Sequence, residues 1–228
     1  MLTRTALGIL TSRYAAVLRH CRFIIVAAMF YPSLSDAAEY SDENVTERTV
    51  ITEDDSTITG YFSYFNEGVF QNEADGVNVF DAYFGYNENG GNGGAIYNEY
   101  DITFNGDATF EGNTSYSDGG AIYNNGTITF NGNASFESNT GDGYCFGGAI
   151  YNYDGSTITF SGDASFEGNT ANTGGAIYNY RSTITFSGNT LFQGNTANGS
   201  SNAIYLEGYN SGSKSVLEMS AHTVLILG

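Results

Sequence analysis

The sequence predicts an all-β protein, a single-stranded parallel β-helix with about 27 residues and three short strands per coil. Three observations carry this. The hexapeptide GGAIYN at 93–98 returns letter for letter at 119–124, 147–152 and 174–179, and a worn copy, SNAIYL, stands at 201–206, so the copies begin at nearly even intervals. Every copy holds short apolar segments that alternate with polar residues or are β-branched, punctuated by Gly and Asn, with no helical period. Each copy also has too little to fold alone. Two Ile and two Phe do not offset the ordering of a whole coil of backbone, so each coil must be the template for the next.

Along the chain, residues 1–37 read as an export signal. Arg4, Arg13, Arg19 and Arg22 precede the apolar run FIIVAAMF at 23–30, Pro32 breaks it, and SDA at 35–37 supplies the small residues of a cleavage site after Ala37. The run is too short to span a membrane, so no transmembrane span is expected in the mature chain. Residues 38–55 are acidic and expected to be loosely ordered. Residues 56–92 read as degenerate N-terminal coils or a cap: STITGYF from Ser56 resembles STITFSG from Ser156, and FQN at 70–72 echoes a later segment. The repeats proper fill 93–228.

Within a coil the first strand is AIY. The second is ITF, ending at Phe104, Phe130, Phe160 and Phe186. The third ends at Phe110, Phe136, Phe166 and Phe192, at a constant offset, and Gly106, Gly132, Gly162 and Gly188 sit in the corner between them. Gly is the natural choice where φ is positive. Ile and Phe are expected inside as ladders, Thr103, Thr129, Thr159 and Thr185 outside, and the amides of Asn113, Asn139, Asn169 and Asn195 stacked along the axis. In AIY, Ile96, Ile122, Ile150, Ile177 and Ile204 are placed inside. That puts Tyr97, Tyr123, Tyr151, Tyr178 and Tyr205 outside as a column of rings, readable either as a stabilising stack or as a ridge that binds glycan or protein.

The paired motifs GGAI (Gly93, Gly94 and Ile96; Gly119, Gly120 and Ile122; Gly147, Gly148 and Ile150; Gly174, Gly175 and Ile177) and FxxN (Phe110–Asn113, Phe136–Asn139, Phe166–Asn169, Phe192–Asn195) resemble the repeats of chlamydial polymorphic membrane proteins and related autotransporter passengers. The resemblance covers about half the chain. It implies a right-handed β-helix, exported to the bacterial surface and associated with the outer membrane, that acts as an adhesin on host glycan or protein. Autotransporters end in an outer-membrane barrel, and the short stretch after Tyr205 falls far below the length of one. The translocator barrel is therefore expected to be absent from this chain, and a structural module or truncated autotransporter fragment is the rival reading.

Composition narrows the chemistry. The chain has net charge −18, and after residue 37 three basic residues (Arg48, Arg181, Lys214) face 24 acidic ones. Such a surface repels nucleic acid and anionic lipid. A third reading, a polysaccharide-degrading β-helix enzyme, needs paired carboxylates, a cation cluster or a base near the substrate. Here the basic residues are scattered, His222 is the one His past the signal, and Asp107 and Asp163 alternate with Asn133 and Asn189 at a turn. No enzyme activity, cofactor or catalytic residue is expected. The β-roll calcium nonapeptide is absent, which leaves weak surface Ca²⁺ binding open. Cys145 stands without a partner once the signal carrying Cys21 is removed, so it is a surface thiol, a redox site, an intermolecular bridge or an incidental loop residue.

Overall fold

A computed structural model describes residues 38–41, 47–63, 65, 68–208, 214–220 and 225–227. The signal assigned to residues 1–37 lies outside them. The described residues form an all-β parallel solenoid of about six turns, about 26 residues apart.

The ITF segments extend because Ile and Thr are β-branched and Phe fits a pleated surface. Strands Asp101–Phe104, Thr127–Phe130, Thr157–Phe160 and Thr183–Phe186 pair in parallel with each Ile and Phe opposite its like: Ile128 faces Ile102 and Ile158, Phe130 faces Phe104 and Phe160. The third strands, Ala108–Glu111, Ala134–Glu137, Ala164–Glu167 and Thr190–Gln193, stack in the same way. Strand Val77–Gly85 runs through the corner that later coils break and pairs with both Asp101–Phe104 and Ala108–Glu111, joining these two stacks. Thr57–Ser63 lies before it with a register shift at Thr59/Gly60, so these two strands belong to the same parallel stack.

Two differences from the sequence expectation stand out. The acidic segment 38–55 is not loose throughout, because Glu39–Ser41 pairs with Thr57–Ser63 and Thr49–Ile51 with Phe70–Asn72, their backbones templated by the adjacent coil. Each repeat coil also has a fourth strand of two residues, such as Thr114–Ser115, Thr140–Gly141 and Thr170–Ala171, stacked in its own parallel sheet. A strand that short has no alternation to reveal it.

The corner glycines act differently from the expectation. Gly132, Gly162 and Gly188 do not have positive φ; a Cβ on any of them would lie 2.2–2.3 Å from the carbonyl oxygen of the preceding coil's corner glycine. Positive φ falls instead on the first Gly of GGAI, +70° at Gly119, while the second is packed against the next coil's backbone.

The core is two phenylalanine stacks meeting edge to face. Phe110, Phe136, Phe166 and Phe192 lie 4.8 Å apart with rings within 6° of parallel, and Phe160 and Phe186 meet Phe166 at 84° and 88°. Both geometries suit the ring quadrupole. Phe166 is fully buried, whereas Thr159 faces outward and is half-buried. Phe166→Ala should therefore cost about 3–5 kcal/mol, and Thr159→Ser close to nothing. Urea titration of both variants checks the facing, since equal midpoints would contradict it.

Two files of buried asparagines run along the axis. In the first, Nδ2 of Asn87, Asn113, Asn139 and Asn169 each donates to Oδ1 of the Asn one coil on, at 2.9–3.0 Å. The same nitrogens donate to the carbonyls of Phe62, Phe84, Phe110 and Phe136. The second file is the Asn of IYN. Asn72, Asn98, Asn124 and Asn152 donate in turn to Asn98, Asn124, Asn152 and Asn179 at 2.7–2.8 Å. All but Asn195, at the end of the first file, are fully buried, and a buried amide must be paired to be tolerated.

Candidate functional site

The IYN strands set the candidate face. Ile96, Ile122, Ile150 and Ile177 lie in the core, and the tyrosine beside each points away from it. Neighbouring rings in the column Tyr97, Tyr123, Tyr151, Tyr178 and Tyr205 are 5.0–5.3 Å apart.

The column is not the open ridge the sequence suggests. Tyr123, Tyr151 and Tyr178 are buried, Tyr97 is half-buried, and Tyr205 alone is exposed, at 39%. The cause is a second layer of aromatics. Tyr153 packs on Tyr123 and Tyr151, Tyr180 stacks on Tyr153, and Phe146 folds back onto Tyr151 and Tyr178, 4.6 Å from the latter. The stacking reading therefore accounts for the three central rings, and the surface of the face is Tyr97, Tyr153, Tyr180, Phe146 and Tyr205. Sequence reasoning missed Tyr153 and Tyr180. The signal was present, for IYNY recurs at 150–153 and 177–180, and residues two apart on a strand share a face.

Burial raises the phenols of Tyr123, Tyr151 and Tyr178 above the ordinary tyrosine range. The Tyr178 hydroxyl donates to Glu207, and that of Tyr97 to Glu99 at 3.2 Å. Arg48 lies near Tyr97 at one end of the face, and further along it Arg181 pairs with Asp154 at 3.2 Å and lies 5.5 Å over the Tyr180 ring.

The insertion at residues 141–146 divides its work. Phe146 covers the column, while Tyr144 stands 92% exposed at the tip. Cys145, open to several readings in the sequence, is buried, with its thiol donating to the Asp142 carbonyl. Burial and the nearby Asp118 and Asp142 push the thiol up to about 11, which removes it from the reactive thiolates.

The corner carboxylates hold backbone. Asp107 Oδ1 accepts the Asn133 N–H, and Asp163 Oδ1 the Asn189 N–H, both at 2.8 Å. Asn133 Oδ1 accepts the Asp163 N–H at 3.0 Å, which is why Asp and Asn interchange there. Among the described residues, no three His, Cys, Asp or Glu side chains are grouped as a metal ion needs, and no helix is long and apolar enough to cross a membrane.

No curated protein and no solved structure matches the chain. A family model does match, at residues 107–125 and 163–180. Each matched stretch runs from the Asp corner through the third strand and the stacked Asn to the glycine pair and its tyrosine, the parts that hold one coil on the next. In these two stretches, the chain carries the Chlamydia polymorphic membrane protein repeat.

Proposed function

We propose that this chain is an exported, surface-displayed passenger that binds a host glycan or protein through its aromatic face, without catalysis. The repeat and the solenoid fit an autotransporter-like passenger, and the signal features of residues 1–37 support export. The observation that carries the binding reading is Tyr144, 92% exposed on the longest insertion, together with the exposed ring of Tyr205 and the half-exposed rings of Tyr153 and Tyr180. Aromatics lose little conformational freedom on contact and dominate recognition surfaces. The burial of Tyr123, Tyr151 and Tyr178 favours a second reading, a structural module whose tyrosines only stabilise.

Attachment of protein-coated beads to cultured epithelial cells separates the two. Tyr144→Ser combined with Tyr205→Ser should abolish attachment and leave the melting curve in place. Tyr151→Ser should instead lower stability, by roughly 2–4 kcal/mol for a buried ring. Unchanged attachment by the folded double variant would leave the structural reading.

A further inference from the structure

A second face carries a built groove. The outward side chains of the third strands, Thr109, Ser135 and Ser165, are small and form its floor, with Leu191 at the C-terminal end. One wall is the corner row Asp107, Asn133, Asp163 and Asn189, all exposed. On the other side the same strands present Glu111, Glu137 and Glu167. The trough holds about 390 Å³ and runs along the solenoid axis across four coils.

Its N-terminal end is closed by aromatics. Tyr83 occupies the register position of Thr109 one coil earlier, and Tyr61 the position before that. The two rings stack 4.2 Å apart at 9°, and Tyr61 is 54% exposed. The Tyr83 and Tyr86 hydroxyls donate to the two oxygens of Glu111 at 2.8 and 2.6 Å, which fixes both rings. Gly85 and Gly112 are left bare beneath them, for a Cβ there would fall 2.3 Å from the Tyr83 ring and 2.7 Å from that of Tyr86. A rigid aromatic platform thus stands at the head of a polar trough.

We infer that this groove binds a linear, uncharged oligosaccharide, one sugar ring seated against Tyr83, which Tyr61 backs, and the following units laid over Thr109, Ser135 and Ser165. The inference rests on the reading of the chain as a displayed binding module and gives that module a site distinct from the tyrosine column. Three features select this ligand. Sugar rings stack on aromatic faces, and their hydroxyls pair with the hydroxyl, amide and carboxylate groups that line the trough. Coils advance about 4.8 Å, close to the length of one pyranose unit in an extended chain. None of Arg48, Arg181 and Lys214 lines the groove, so a uronate or sulfated chain would meet carboxylates unpaired. An extended peptide would find no open strand edge, because the backbone of this face is bonded coil to coil, as in Ala108 N–H to Asn133 O and Ala134 N–H to Asp163 O at 2.9 Å.

The test uses purified protein and four probes: cellohexaose, laminarihexaose, hexagalacturonate and a Lys-Ser octapeptide. Calorimetric titration and tyrosine fluorescence, clean in a chain without Trp, report binding. At least one neutral hexasaccharide should bind saturably, with hexagalacturonate silent. Tyr83→Ala, which removes the ring beside the trough, and Ser135→Tyr, which fills the floor, should each weaken binding at least ten-fold with unchanged melting. Should Tyr83→Ala fold poorly, Ser135→Tyr alone decides. Binding of neither neutral sugar, binding of the peptide instead, or full affinity in Ser135→Tyr overturns the inference. Cell attachment without sugar binding retires the groove and leaves the displayed module; sugar binding without attachment retires adhesion and leaves the groove.

Discussion

Gly120→Ala is expected to abolish the folded state at physiological temperature. A Cβ at this position would lie 1.9 Å from the Gly148 carbonyl oxygen and 2.7–2.8 Å from backbone atoms of Thr140. All three obstacles are main chain, so no side-chain rotation relieves the clash. Nor can the coils separate, because Gly120 N–H and Ala121 N–H bond to Gly147 O at 3.0 Å and Ala149 O at 2.9 Å in the next coil. Relief requires breaking those bonds and the packing of Ile122 on Ile150. The cost belongs with the rare substitutions above about 4 kcal/mol, within reach of the whole stability of an ordinary domain, about 5–15 kcal/mol. Gly90→Ala is the control, since a Cβ there meets nothing within 4 Å. Circular dichroism melts should show Gly90→Ala unchanged and Gly120→Ala without a native transition. A Gly120→Ala protein melting beside the parent would refute the tight-approach account of the GG pair.

Asn139→Ala is expected to be strongly destabilising. The loss takes Oδ1 from the backbone N–H and Nδ2 of Asn113, of which Nδ2 keeps the Phe84 carbonyl, and takes a donor from the Phe110 carbonyl. Each unpaired buried group costs about 1–3 kcal/mol, so the sum is several kcal/mol. Asn139→Asp keeps the shape and should fare little better at neutral pH, since its carboxylate would face Asn169 Oδ1 and Phe110 O without a proton to give. Chemical denaturation should place both variants far below Asn133→Ala, whose amide sits exposed at the corner. Midpoints for Asn139→Ala and Asn133→Ala that coincide would contradict the role given to the buried file.

The stacking of like on like was legible because the period was. Once copies recur at a nearly constant interval with β alternation, parallel in-register pairing follows, and the Ile and Phe ladders with it. What escaped notice was set by other distances. Asn98, Asn124, Asn152 and Asn179 share the parity of the buried Ile yet look like turn punctuation, because Asn is a turn residue far more often than a core one. The burial of Tyr151 and Tyr178 depends on Phe146, which an insertion carries back over them, and no local pattern encodes that return. The corner glycines were recognised as required, but the requirement is space between coils, and spacing along one chain does not distinguish that from a positive φ.

Both asparagine files donate in the same sense, each Nδ2 handing its proton toward the C-terminal neighbour. The solenoid is thus a one-way object, like a column of arrows. An inverted coil would set donor against donor at one end of a file and acceptor against acceptor at the other. The second file stops at Ile51, the coil partner of Asn72, and at Leu206, the coil partner of Asn179, so the amide register is kept inside the molecule and is closed at each end by an apolar side chain that offers it no partner.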